Sequence, residues 1–407
     1  MATIRPFRAL RPAPAAAAAV AAVPYDVVST SEARRLAAGN PLSFLHVSRA
    51  EIGLPDGTDP YDRQVYEQAA RNLEALIERA PLVTDPEPAL YLYRMQAGEH
   101  EQVGLAGCFS LDEYDRDIVK RHERTRRDKE DDRTRHMVAL RAQTGIVFLT
   151  YRAMPAVDGV LGGATEGPPL LHVAAPDGVR HSVWRLSAEA TSAAVSAFAA
   201  VPAVYIADGH HRIASAARAR DELAGSDPAH ESRFFLGVAF PDCRTCILPY
   251  NRTVSNLAGR TAGEFLAALR ERFPVTAGGP PVPSKGKLAM YLEGAWHTID
   301  VADAAVATAG TGPAARLDVA ILQDRILAAM LDVADIRTDP RVTFVGGARG
   351  IRALEQAVDS GAAAVAFSLA AVTPDELLAV SDAGGIMPPK STWFEPKLRD
   401  GLLIHTI

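Results

Sequence analysis

Asp208, Gly209, His210, His211 and Arg212 bring an acceptor, two imidazoles and a guanidinium around one glycine in five consecutive positions. Before them runs Val204, Tyr205 and Ile206. After them comes a stretch, 213–223, free of glycine and proline and rich in helix formers. That pattern predicts strand, tight turn and helix, with the helix starting near His210 or His211. A helix start leaves backbone N–H groups unpaired and carries partial positive charge, and Arg212 adds a forked cation that matches phosphate oxygens. An oxyanion can sit at such a corner. The plainer reading makes Asp208 an N-cap, Arg212 a surface cation and the histidines polar residues of a helix start. Four functional groups around one glycine exceed what a structural turn needs.

Three further stretches hold candidate groups. Asp26, in Pro24-Tyr25-Asp26-Val27, precedes Ser29, Thr30 and Glu32, so Asp26 or Glu32 can serve as a general base. Equally, Asp26 can belong to a proline turn and Glu32 to a capping box. Lys120, Arg121, His122, Glu123, Arg124 and Thr125 cluster before any helical period begins. Cations with one carboxylate on a loop suit a polyphosphate and its metal, with Glu123 as the Mg²⁺ ligand, although most charged runs are solvated helix faces. Near the carboxyl end, Pro388-Pro389-Lys390-Ser391-Thr392 fixes a lysine and two hydroxyls on a stiff loop. There Lys390 can neutralise a transferring phosphoryl group. Arg252, on an expected loop at 248–253, can reach a carboxylate or phosphate. Cys243 and Cys246 stand three apart without a second pair of ligands, which leaves little basis for a zinc site.

The corner Asp208-Gly209-His210-His211-Arg212 resembles that of the ParB/sulfiredoxin superfamily, whose nucleotide-using members include free-serine kinases. A longer likeness is to a large bacterial and archaeal family of unknown function. It runs from Ile4-Arg5-Pro6-Phe7 through Pro24 to Val27, His122 to Thr125, Ala207 to Arg212, Leu248 to Arg252 and Met387 to Phe394. The resemblance implies a small-molecule kinase that moves a phosphoryl group from ATP, ADP or pyrophosphate to an amino-acid hydroxyl, with free L-serine as acceptor. In that expectation Gly209, His210, His211, Arg212, Arg124, Thr125, Arg252, Ser391 and Thr392 bind the donor. Asp208, Asp26, His211 and Lys390 carry the chemistry, and Glu123 holds Mg²⁺. The alternative is a sensor of a nucleotide or phospho-metabolite, which binds without turnover.

With 407 residues, 48% of them apolar, the chain can bury a large core. Its net charge of −6 gives no general attraction to nucleic acid, which argues against a ParB-like role on DNA. Three cysteines are too few for a secreted disulfide scaffold, so a cytoplasmic setting is expected. The alanine run at 15–23 is too short to span a membrane and reads as a loop and short helix. A homodimer is compatible with the sequence.

The elements that must position these groups follow from hydrophobic period. Helices are expected at 33–38, 62–80, 188–199, 317–331 and 350–359. A hairpin is expected at 89–94 and 103–109 across Gly98, and another at 288–292 and 296–301 about Glu293 and Gly294. Further strands fall at 44–47, 146–151, 181–186, 233–240, 342–345 and 363–368. Loops are expected at 159–167, which lacks a Walker pattern, and at 278–287. The mixture is α+β or mixed α/β. The resemblance implies a ParB/sulfiredoxin-like core with an inserted α/β region over 1–275, and a carboxyl-terminal α/β region over 276–407.

Overall fold

The computed structural model describes residues 1–79, 82–163, 165, 167–307 and 312–407. They form two compact units. The first holds Met1–Arg121, Thr125–Thr245 and Pro396–Ile407; the second holds His122–Arg124 and Cys246–Glu395.

The first unit is built on a mixed nine-stranded sheet among the described residues. Its strands run in the order Val119–Lys120, Val204–Asp208, Val147–Tyr151, Phe234–Pro241, His100–Ser110, Tyr91–Ala97, Arg180–Arg185, Leu171–Ala174, and Ile4–Arg5 pairs with His100–Ser110. Val204–Asp208 lies parallel to Val119–Lys120 and antiparallel to Val147–Tyr151. Val204, Tyr205 and Ile206 are fully or almost fully buried, as β-formers covered on both faces should be. Helix His210–Leu223 buries Ile213, Ala216 and Ala219 at a spacing of three, which sets one face on the same core as Leu149 and Phe198. Its small residues also let the charged helix Arg127–Leu140 come close, with Ser215 Oγ donating to Glu130 O at 3.1 Å.

That charged helix is not a solvated face. Asp132, Thr134 and His136 are buried along it. His136 reaches Val47 O at 3.0 Å, and burial, then the charge of Arg133, push its imidazole down to about 3. The carboxyl-terminal segment returns to this unit: Leu10 and Ile404 exchange backbone hydrogen bonds, as do Ala22 and Asp400. Beside them, Arg399 donates through Nε to His181 at 3.2 Å, and Tyr93 meets the same ring at 3.2 Å.

Among the described residues the second unit carries a six-stranded sheet in the order Val275–Ala277, Ala295–Asp300, Lys287–Leu292, Val365–Leu369, Tyr250–Val254, Val342–Gly346. Each of these neighbouring pairs is antiparallel. Cys246–Leu248 pairs separately with Trp393–Glu395. Helix Asp318–Ile321 continues as a π-helical segment, Leu322–Ala328, before Ala329–Leu331.

Several expectations change. Positions 44–47 give helix Leu45–Ser48, because a short apolar run buried all round carries no period that separates strand from helix. The expected loop at 159–167 contains the end of helix Pro155–Gly163, which buries Val157 and Leu161 one turn apart; positions 164 and 166 lie outside the described residues. The helix expected at 62–80 is Arg63–Arg79, position 80 again lying outside them. The expected loop at 248–253 contains strand Tyr250–Val254, since Pro249 marks the entry to the strand and not its absence. Among the described residues no helix is long and apolar enough to cross a membrane. The fold is mixed α/β with a large mixed sheet.

Candidate functional site

The corner on the first unit forms as strand, glycine and helix. Gly209 has φ 104° and caps helix His210–Leu223 with no side-chain hydrogen bond. A Cβ there would press on Arg212 Cδ at 3.2 Å, and the positive φ favours glycine in its own right. The strand register shifts between Ile206 and Asp208, a bulge that re-aims the Asp208 carboxylate. That carboxylate has a lysine partner. It meets Lys397 Nζ at 3.0 Å.

Arg212 is 3% exposed and sits behind the corner. Its Nη1 donates to Ile146 O at 2.6 Å, and its Nη2 donates to Asp26 at 3.0 and 3.2 Å. Burial opposes its charge, but Asp26, Asp208, Tyr25 and Asp400 more than offset that and hold the guanidinium protonated. The Asp26 side chain is 39% exposed, so this carboxylate is gripped from behind and open in front. Its neighbour Tyr25 lies in the single turn Tyr25–Val27 and has Arg133 4.3 Å and Arg212 5.5 Å from its ring centre. Arg133 in turn pairs with Asp132 at 2.7 Å, and Tyr66 donates to Asp132 at 3.0 Å. Burial would raise the Asp132 carboxyl, yet Arg133 and Tyr66 bring it below the ordinary range.

Asp400 completes the set. It is 2% exposed, and its Oδ2 has no hydrogen-bond partner among the described residues. Burial pushes its carboxyl up to about 7, Arg212 pulling against the shift and Asp26 adding to it. Gly401, which follows with φ 87°, admits no Cβ because Phe44 would lie 2.7 Å away.

The remaining first-unit candidates are His210 and His211 on helix His210–Leu223, Thr125 ahead of helix Arg127–Leu140, and Glu32 on helix Thr30–Ala37. His210 is buried. His211 Nε2 accepts from the Arg126 backbone N–H at 3.0 Å, so that nitrogen carries no proton, and the ring ties the start of one helix to the other. Thr125 Oγ1 donates to Glu130, and Arg218 faces the same carboxylate at 3.5 Å. Glu32 forms the capping box with Ser29, its Oε2 accepting from Ser29 N at 2.8 Å, and is committed to that helix start. Asp26, Asp208, Gly209 and Arg212 are therefore brought together. Lys397, Asp400, Tyr25 and Arg133 join them unforeseen. The signal for the first two was three charged residues, Lys397, Arg399 and Asp400, beside a proline and just ahead of the buried run Leu402, Leu403, Ile404.

The second unit gathers the other candidates. Arg252 is 1% exposed and donates through Nη2 to Pro389 O at 3.2 Å and Lys390 O at 3.0 Å, and through Nη1 to Tyr250 O. Burial pushes its guanidinium down to about 9, with no carboxylate beside it among the described residues to oppose the shift. It thereby clamps the proline loop. Ser391 Oγ donates to Pro388 O at 2.5 Å, and half-buried Thr392 leads into strand Trp393–Glu395. Lys390 has φ 56° and holds its ammonium 5.7 Å from the Tyr250 ring centre. Such a backbone conformation is uncommon for a residue with a side chain. Glu123 and Arg124 line a cavity of about 500 Å³. Cys243 is exposed and Cys246 half-buried, and both thiols are free.

Comparison with curated proteins gives no match. Among solved structures the chain is similar to a variant of a free serine kinase in complex with AMP, at 11% identity over 73% of this chain and 92% of that one, TM-score 0.37. It is similar to a conserved hypothetical protein from Pyrococcus furiosus, at 13% identity over 73% and 94%, TM-score 0.36. A third similarity is to SbnI with C-terminal truncation from Staphylococcus aureus, at 12% identity over 74% and 87%, TM-score 0.41. A family model described as a protein of unknown function, DUF1015, matches residues 4–320, and the chain belongs to that family.

Proposed function

We propose that the protein is a small-molecule kinase that moves a phosphoryl group from a nucleotide or pyrophosphate to an amino-acid hydroxyl, with free L-serine as acceptor. The observation that carries this reading is Asp26, an open carboxylate held on a buried Arg212 that itself belongs to the first turn of the helix behind Gly209. Phosphoryl transfer needs an anion cradle, fixed positive charge and a base placed near the acceptor oxygen. The backbone N–H groups of the first turn, around Gly209, His210 and His211, form the cradle. Arg212 orients Asp26 and adds positive potential from below. Lys397 does the same for Asp208. The serine hydroxyl gives its proton to Asp26, or to Asp208 in the exchanged assignment, as its oxygen attacks the terminal phosphorus. The bond from that phosphorus to the bridging oxygen breaks, and the leaving group is ADP, AMP or phosphate, according to the donor.

The acceptor class and the ParB/sulfiredoxin-like character of the core rest on the resemblance carried by Asp208 to Arg212. This step is built on first-unit residues alone. Mg²⁺ takes hard oxygen ligands and water, and half-buried Glu123 on the second unit offers one such ligand. When bound, the ion neutralises phosphate charge.

Purified protein with Mg²⁺ and L-serine, offered ATP, ADP and pyrophosphate in turn, should yield phosphoserine by mass spectrometry with at least one donor. Protection from thermal unfolding by a donor, without product, would instead make the protein a sensor. Absence of both product and protection would remove the corner as a phosphate site.

A further inference from the structure

The cavity on the second unit has features that neither the corner nor the expected kinase chemistry uses. One wall is apolar, made by Ala320, Ile336, Met387 and Pro388, and the first three are at least nine-tenths buried. This wall is pre-built. Met387 N donates to His122 O at 2.8 Å, the two prolines stiffen the loop, and Arg252 clamps the carbonyls of Pro389 and Lys390. The lining also takes Gln323 and Asp324 from the π-helical segment Leu322–Ala328. A π-segment gives up regular helical hydrogen bonding and is found frequently at functional sites. Gln323 Oε1 is buried and has no hydrogen-bond partner among the described residues. A buried acceptor left unpaired is costly, and that cost is relieved when the half-buried Gln323 side chain turns its amide to meet a ligand N–H.

We infer that this cavity binds the base of a purine nucleotide, read by the Gln323 amide. A primary amide offers one acceptor and one donor side by side, which matches the paired donor and acceptor edges of a purine. The apolar lining suits the face of a flat ring, and the Met387 thioether favours contact with an aromatic ring. Asp324 supplies an acceptor for sugar hydroxyls, and Arg124 supplies a guanidinium for a phosphate. At about 500 Å³ the space falls in the range of small-molecule sites. Residues 323–337 and 386–389 also lie beyond the part of the chain that the family model matches. The site is read by binding alone, so it stands or falls apart from phosphoryl transfer.

Calorimetric titration of the full chain with adenosine 5′-monophosphate, guanosine 5′-monophosphate and ribose 5-phosphate tests this directly. At least one nucleotide should bind and the base-free sugar phosphate should not; which nucleotide binds tells whether an exocyclic amine or a ring N–H meets Gln323. Gln323→Leu should weaken binding tenfold or more. Ala334→Trp, placed at an exposed position of the lining, should abolish it while the thermal melt stays that of wild type. Binding of neither nucleotide to the wild type would overturn the inference. So would equal binding of ribose 5-phosphate, or wild-type affinity in both folded variants.

Discussion

At the scale of the residue, the account depends on Arg212 acting through Asp26. Arg212→Ala leaves Asp26 and Ile146 O without their donor. The expected loss of stability is about 2–3 kcal/mol in urea unfolding, below the range for a fully buried pair because Asp26 is open on one side. Arg212→Lys keeps the charge but cannot bridge both acceptors with a planar fork, so it should recover stability in part and activity hardly at all. Asp400 makes a prediction of a different kind. Its carboxyl titrates at about 7 when folded and near 3.8 when unfolded. Between those values the folded state keeps a proton that the unfolded chain has shed, so this group's contribution to stability is full below the window and lost as pH rises through it. Comparing urea melts of wild type and Asp400→Asn from pH 5 to pH 8 should show wild type losing ground to the variant as pH rises. A constant gap between the two would contradict the burial assigned to this carboxyl. Lys397 and Asp400 were marked in the sequence only as charges ahead of an apolar run, because a short irregular tail has no period and only the tertiary return of Pro396–Ile407 brings it to the corner.

At the scale of the element, the corner was legible because each of its parts has a local cause. Val204 to Ile206 are strand formers, Gly209 alone accepts φ 104°, and 213–223 is a good helix, so type and order followed without tertiary information. The same reasoning found both hairpins and the Ser29 capping box. It failed at Leu45–Ser48, where burial on all sides hides the period, and at Tyr250–Val254, where Pro249 stands next to the strand. It left the charged helix open between a solvated face and a functional cluster, since a buried Asp132 requires Arg133 and Tyr66 as partners that spacing does not reveal. Gly209→Ala should lose about 1–2 kcal/mol and displace Arg212, lowering activity together with the melting temperature. Ser29→Ala should cost about 1 kcal/mol through the cap and leave the chemistry of the corner untouched. If both variants altered activity equally, the corner would have no special standing among the helix starts.

For the whole molecule, family membership and the mixed α/β class were readable from motifs and from the alternation of apolar runs, while the long-range pairings were not. Asp26 meets Arg212 across most of the first unit's chain, and no spacing rule predicts that meeting. The acidic balance of the chain and the local cations fit a small anionic substrate better than a nucleic acid. The central claim is that the corner transfers a phosphoryl group with Asp26 as base. It is tested most directly by the rate of phosphoserine formation in Asp26→Asn beside wild type and Glu32→Gln, a control whose amide preserves the capping box. The account predicts a fall of roughly 100-fold or more in Asp26→Asn, the scale of a lost general base, and a wild-type rate in Glu32→Gln. Wild-type turnover in a folded Asp26→Asn protein would contradict it.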